Sequence, residues 1–275
     1  MEQVNRLGRG IEDVSRLYLS DTPRSDGDKG EKGEAALRRR RVVRIINPGS
    51  ALMGAFFTAN FSLELARHRH RVAIFDGEAH ETDGVEAMLR NVVYPESGAE
   101  VLSVRLYGIP DISLYRARPD GAERLFELAR AAQSYGEGFW LVVNTPHRMD
   151  DLVQGPAGFD AVLLSTLETS PLLQCYAYVK LIRQIDPDSR ISLAFIDPAS
   201  DARAMDAFSR FSAFALERLG ACVDYLGRIV RDELMDRSIA DHRPLVLCCE
   251  PSAARESIVA ASRAFLQQRG ALPPE

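Results

Sequence analysis

The stretch VVRIINPGSALMGAFFTANFSLELARHRHRVAIFDGE, residues 42–78, decides the fold. Residues 42–47 (VVRIIN) form a short β-branched run stopped by Pro48 and Gly49, the pattern of a strand buried on both faces. Residues 52–68 read as a helix, and residues 71–76 (RVAIFD) form a second short apolar run. Strand, helix, strand at this spacing is a crossover unit, which joins two parallel strands.

The alternation continues outward. Strands are predicted at 101–106, 112–116, 139–144, 160–165, 190–196 and 223–230, and helices at 82–90, 120–135, 171–185, 200–219, 232–240 and 252–269. The expected fold is α/β, a doubly wound, mostly parallel sheet of seven or eight strands with helices on both faces, and no internal repeat is visible. The whole chain has 275 residues, 46% hydrophobic and 27% charged, enough to bury a core without disulfides. A net charge of −5 argues against a globally basic nucleic-acid binder, though not against a local basic patch. The four cysteines, Cys175, Cys222, Cys248 and Cys249, have no CxxC spacing, so neither a zinc site nor a disulfide framework is indicated. Cys248-Cys249 lies in an apolar run and reads as core. With no apolar run near the roughly 20 residues of a membrane span and no signal-peptide pattern, a cytoplasmic location is expected.

Four segments are distinguished. Residues 1–20 are an amphipathic N-terminal segment in which Ile11, Val14, Leu17 and Tyr18 share one helical face. Residues 21–41 are a charged linker, poor in large apolar residues and ending in Arg38–Arg41; they read as flexible. Residues 42–270 are the α/β domain and 271–275 a tail whose prolines end any helix. The N-terminal face either folds back on the body or docks into another protein through residues 11–19. The arginine run is either a contact for acidic lipid or nucleic acid, or a solubilising flank. His68 and His70 read as a solvated basic turn at a helix C-terminus, with a metal pair as the alternative.

Between the first strand and first helix, Gly49 and Gly54 frame a GxxxxG, the outline of a phosphate-binding loop. A working loop follows it with Lys, which reaches the phosphates, and Ser or Thr, which holds Mg²⁺. Here Ala55 and Phe56 stand in those places, with Phe57 beside them. The candidate cleft residues are therefore Gly49, Ser50, Gly54, Ala55, Phe56, Asp76 and Asn144, with Thr145 and His147 at the same strand end. Asp76 either orients a water or metal, or serves the fold by capping the segment that follows it or pairing with a local base.

Residues 42–78 resemble the opening of the MinD/ParA-type deviant Walker ATPases, particularly the FlhG-like branch. FWLVVNTPH (139–147) is similar to their Walker B strand, LLSTLETSPLLQCYAYVKLI (163–182) to their next strand–helix unit, and residues 224–258 to their closing segment. The resemblance implies a P-loop NTPase-like fold over about residues 42–269. It also places the family's dimer-spanning lysine at Ser50, its phosphate lysine at Ala55, its magnesium hydroxyl at Phe56 and its Walker B carboxylate at Asn144. The adenine-reading Asn is absent from SLAFID (192–197), and Asp76 alone remains. Phosphoryl transfer depends on positioned charge, so these departures imply a pseudo-ATPase. No cofactor or metal is expected, with ATP or ADP at the degenerate loop as the alternative. FlhG-like proteins carry an N-terminal segment that engages a partner GTPase; their Asp-Gln-Ala-x-x-Leu-Arg motif is not here, so that partner does not carry over. The reading is a non-catalytic regulator or scaffold of a bacterial cell-envelope or motility machine. The alternatives are a nucleotide or anion sensor, or an enzyme with altered chemistry using Asp76, Asn144 and His147. A homodimer would not be driven by ATP.

Overall fold

Strand β1 (Val42–Ile46) lies between β6 (Phe139–Thr145) and β7 (Phe159–Ser165), parallel to both, and every one of its residues is buried. A central parallel strand is covered on both faces, which is why it reads as a continuous apolar run. The computed structural model describes residues 41–77, 84–94, 101–104, 112–116, 121–134, 138–145, 152–153 and 155–272. The sheet has nine strands in the order β3-β4-β5-β2-β6-β1-β7-β8-β9. Seven of them, including β2 (Arg71–Asp76), β5 (Ile112–Arg116), β8 (Ile191–Ile196) and β9 (Val223–Ile229), are parallel. The other two, β3 (Val93–Tyr94) and β4 (Val101–Val104), close one edge antiparallel. The parallel α/β sheet is as expected; the ninth strand, β3, has only two residues and leaves no periodic trace.

Helices cover both faces. One face carries α1 (Ala51–Arg67), α2 (Val85–Leu89), α6 (Glu233–Ala240), a 3₁₀ turn at Leu245–Leu247 and α7 (Ala253–Gln268). The other carries α3 (Gly121–Ser134), α4 (Thr169–Ile185) and α5 (Asp201–Leu219). Helix α1 is the core helix: every residue from Gly54 to Ala66 is buried. Phe61 meets Phe265 of α7 edge-on at 5.1 Å, and Asn60 accepts from Val246 N at 3.0 Å, pinning the 3₁₀ turn onto it.

Arg44 is the one charged side chain of β1. Its guanidinium lies 4.4 Å over the Phe159 ring and donates to the carbonyls of Leu152 and Pro156, holding the segment that leads into β7. Burial pulls its pKa down to about 10, so it stays charged at neutral pH. At the same entry of β7, α7 is anchored by a buried pair. Arg269 donates to Asp160 at 2.6 Å and to Ser192 at 3.2 Å, at the entry of β7 and β8.

Several residues depart from expectation. Arg41 is buried, its guanidinium 5.2 Å over the Trp140 ring, so the last arginine of the basic run belongs to the core and not to a solvated flank. His68 caps α1, but His70 is buried edge-on to Trp140, with both ring nitrogens lacking a partner. The turn is therefore not a uniformly solvated basic surface. Cys249 is exposed and Cys248 half-buried, because the 3₁₀ turn ends at Leu247 and releases the chain outward. Residues 1–40, His147 and residues 273–275 lie outside the described residues, and with them Ile11, Val14, Leu17, Tyr18 and the linker. Among the described residues no helix is long and apolar enough to cross a membrane.

Burial, with Arg41 and His68 nearby, pushes the His70 pKa below its ordinary 6.5. The unfolded chain then binds the extra proton more readily than the folded one. His70 contributes its full stability above 6.5 and loses it as pH falls through the folded value. Thermal melts taken from about pH 7.5 down to about pH 5 should show a falling melting temperature, with a visibly shallower slope in His70→Phe. Identical slopes would count against this assignment.

Candidate functional site

Four residues, Asn47 to Ser50, are all the chain between β1 and α1. Asn47 Oδ1 accepts from Gly49 N at 3.1 Å, folding the turn on itself. Ser50 is the N-cap: its hydroxyl accepts from Met53 N at 3.3 Å, and its carbonyl accepts from Gly54 N at 3.0 Å. Ala51–Gly54 are thus the first helical turn. In a phosphate-binding loop the residues between the two glycines stay as loop, with N–H groups converging on the anion. Here Met53 and Gly54 N–H are already used within the cap.

The helix phase set by Ser50 decides which residues face the sheet's carboxyl edge. Gly54 and Thr58 lie one turn apart on one side, while Phe56 is nearly opposite them. A Cβ on Gly54 would meet Asn144 Oδ1 at 3.4 Å and Asn47 Cβ at 3.5 Å. Thr58 Oγ1 donates to Asn144 Oδ1 at 3.4 Å. Ala55, Phe56 and Phe57 are buried in the hydrophobic core. The two phenylalanines therefore do not fill the place of a metal or phosphate, as their position in the motif suggests. They point into the core, and Gly54 with Thr58 closes the cleft side.

Asp76 and Asn144 are register neighbours at the carboxyl ends of β2 and β6. Asn144 Nδ2 donates to Asp76 Oδ1 at 2.8 Å, and Val85 N donates to Asp76 Oδ2 at 2.7 Å. Asp76 thus caps the first turn of α2, the second of its two sequence readings. Both side chains are almost fully buried, and the chain Thr58–Asn144–Asp76–Val85 is continuous. Asp76 and Asn144 come together as the sequence suggests, with Gly54 beside them and Gly49 and Ser50 in the adjoining turn. Ala55 and Phe56 do not join them. Thr58 and Asn47 escape the sequence reading; the signal for Thr58 is its i+4 spacing from Gly54.

Asn47 Nδ2, beside this chain, and Thr145 Oγ1, on the other face of the sheet, are buried without a hydrogen-bond partner. On β5, Arg116 is the register neighbour of Asp76. Among the described residues no group of three or more His, Cys, Asp or Glu could hold a metal. A cavity of about 550 Å³ lies elsewhere, between β9 and α7, lined by Asp201, Tyr225, Arg228, Glu256 and small residues.

No protein-family model matches the sequence, and no curated protein matches it. Solved structures do match the fold. MinD of Aquifex aeolicus superposes with a TM-score of 0.62 at 14% identity, over 82% of this chain and 97% of that one. The MinC:MinD cell division complex of the same organism gives 0.61 at 15% identity, over 86% and 98%. A plasmid partition protein of Borrelia burgdorferi bound to AMPPNP gives 0.53 at 11% identity, over 83% and 99%. The chain has the α/β fold of the MinD and ParA-type P-loop ATPases.

Asn144 lets a buried carboxylate keep a neutral donor beside it. Asn144→Asp would set two carboxylates in contact, which raises the pair's proton affinity in the folded state. That variant should lose about 1–3 kcal/mol at neutral and alkaline pH, with the deficit shrinking on acidification as one proton is taken up. Denaturant melts across pH decide it. Parent-like stability at pH 8, or a rescue by Mg²⁺, would mean that the cleft still has metal-site geometry.

Proposed function

We propose that this chain is a non-catalytic, FlhG-like pseudo-ATPase, a regulator or scaffold of a bacterial cell-envelope or motility machine acting through protein–protein contacts. The observation that carries this reading is the closure of the loop after β1: α1 begins at Ala51, capped by Ser50, where a nucleotide phosphate would need open N–H groups. The engagement of Asp76 by Asn144 and Val85 N supports it, since one acceptor site on each oxygen already serves the fold. The structural likeness to a MinD in complex with MinC favours a protein partner. The partner-binding element in this reading is residues 11–19, with Ile11, Val14, Leu17 and Tyr18 as anchors on the 21–41 tether. Exchanging Leu17 and Tyr18 for Asp should abolish partner recovery and leave the melting temperature of the body unchanged.

One observation favours a second reading, an anion or nucleotide sensor. Asn47 Nδ2 is buried and unpartnered in the turn just before the α1 N-terminus, where helix N–H groups and the dipole attract anions. Mg-ATP separates the two readings. The scaffold reading expects no phosphate release above background, none gained or lost in Asp76→Ala, and no change in oligomeric state on adding nucleotide. Saturable micromolar binding of ATP, ADP or phosphate, lost in Asn47→Ala, would select the sensor. Mg²⁺-dependent turnover abolished by the Asp76 change would refute both.

A further inference from the structure

We propose that the outer face of α5 (Asp201–Leu219) is a homodimer interface, formed by a second copy of this chain packed antiparallel across a two-fold axis at Ser209. The helix covers β9, the outermost strand, and buries Ala204, Phe211 and Ala215 on its inner side. Its outer side is not the charged surface usual for such a helix. Ala202, Met205, Ser209, Ala213 and Leu216 are all exposed, Met205 at 47% and Leu216 at 54%. They fall within one narrow arc at the 3- and 4-residue spacing of a helix-packing seam.

The pattern is its own complement when reversed. An antiparallel copy centred on Ser209 sets Met205 against Ala213 of the second copy and Leu216 against Ala202, a large side chain into a small one at each of four places. The charges along one flank fit the same axis to within two residues. Arg203, Asp206, Arg210 and Glu217 are exposed and read plus, minus, plus, minus. Turned about Ser209, Arg203 falls two residues, about 3 Å along the axis, from Glu217 of the second copy, and Asp206 falls two residues from Arg210, within reach of the long arginine side chains. Within one chain Asp206 already pairs with Arg210, which holds both side chains on this flank. A foreign helix needs no such palindrome; a two-fold isologous contact requires it. A single pair of nineteen-residue helices, about 28 Å long, makes a modest interface, so the dimer is weak and set by concentration. It needs no nucleotide and does not depend on the state of the loop after β1.

Sedimentation velocity of the nucleotide-free full chain, from low to high micromolar, tests this. The mass should climb from 30.5 kDa toward twice that value. Met205→Glu with Leu216→Glu should stay monomeric throughout at an unchanged melting temperature, since both sites are exposed. Arg203→Glu should weaken the dimer about tenfold, and adding Glu217→Arg should restore it. A monomer at the highest concentration, a dimer indifferent to the two acidic substitutions, or no rescue by the double charge reversal would overturn the proposal. So would a monomer whose melting temperature falls with those acidic substitutions, because the face would then be covered by the chain's own residues 1–40.

Discussion

A carboxylate buried at the carboxyl edge of a parallel sheet must find either a cation or enough donors to replace water. Asp76 is held by donors: the Asn144 amide on one oxygen and the Val85 N–H on the other, at 2.8 and 2.7 Å. This ties β2, β6 and the start of α2 together and sets the amide of Asn144 with its oxygen toward Thr58. Helix α1 lies against this group at Gly54 and Thr58. A Cβ added at Gly54 would meet Asn144 Oδ1 at 3.4 Å and Asn47 Cβ at 3.5 Å, ordinary contact distances. Thr58, Asn144, Asp76 and the Val85 N–H thus form one continuous buried contact between α1, β6, β2 and α2.

Ser50 also fixes the start of α1. A helix N-terminus exposes four N–H groups, and an anion is one way to satisfy them. Ser50 offers another, taking Met53 N through its hydroxyl and leaving a tight turn of Asn47–Ser50 with its own Asx bond. The residue at which the resemblance places a lysine is the one that starts the helix.

Much of the fold was legible because buried parallel strands leave a simple trace. The runs at 42–47, 71–76 and 139–144 all became neighbouring strands at the sheet centre. Residue pairs at strand ends were legible for the same reason, as Asp76 and Asn144 show. Side-chain direction on α1 was not. A motif read letter by letter assigns Phe56 to the metal site, but direction follows from where the helix begins, and Ser50 fixed that phase. His70 misled because its neighbours Arg67, Arg69 and Arg71 suggest solvent, while the chain turns inward onto Trp140. Cys249 misled in the opposite sense, since an apolar run says nothing about where a 3₁₀ turn releases the chain.

In an ATPase of this fold as the resemblance describes it, nucleotide and a lysine from the loop join two subunits, so assembly reports on hydrolysis. Removing the lysine cuts that link without removing the benefit of pairing. A dimer closed through α5 instead would depend on concentration alone, and it lies on the flank of the sheet, away from Asp76 and Asn144. Two copies held this way would present two N-terminal segments on separate tethers. Weak binding by each segment would then gain from its neighbour's effective concentration, by factors on the order of a hundred or more where the tethers span the sites. A short helix with three or four apolar anchors needs that help, because its ordering cost offsets much of what burial supplies. The two proposals, a tethered partner-binding head and a nucleotide-free dimer, are thus coupled by physics: the weaker each head is alone, the more its function depends on α5.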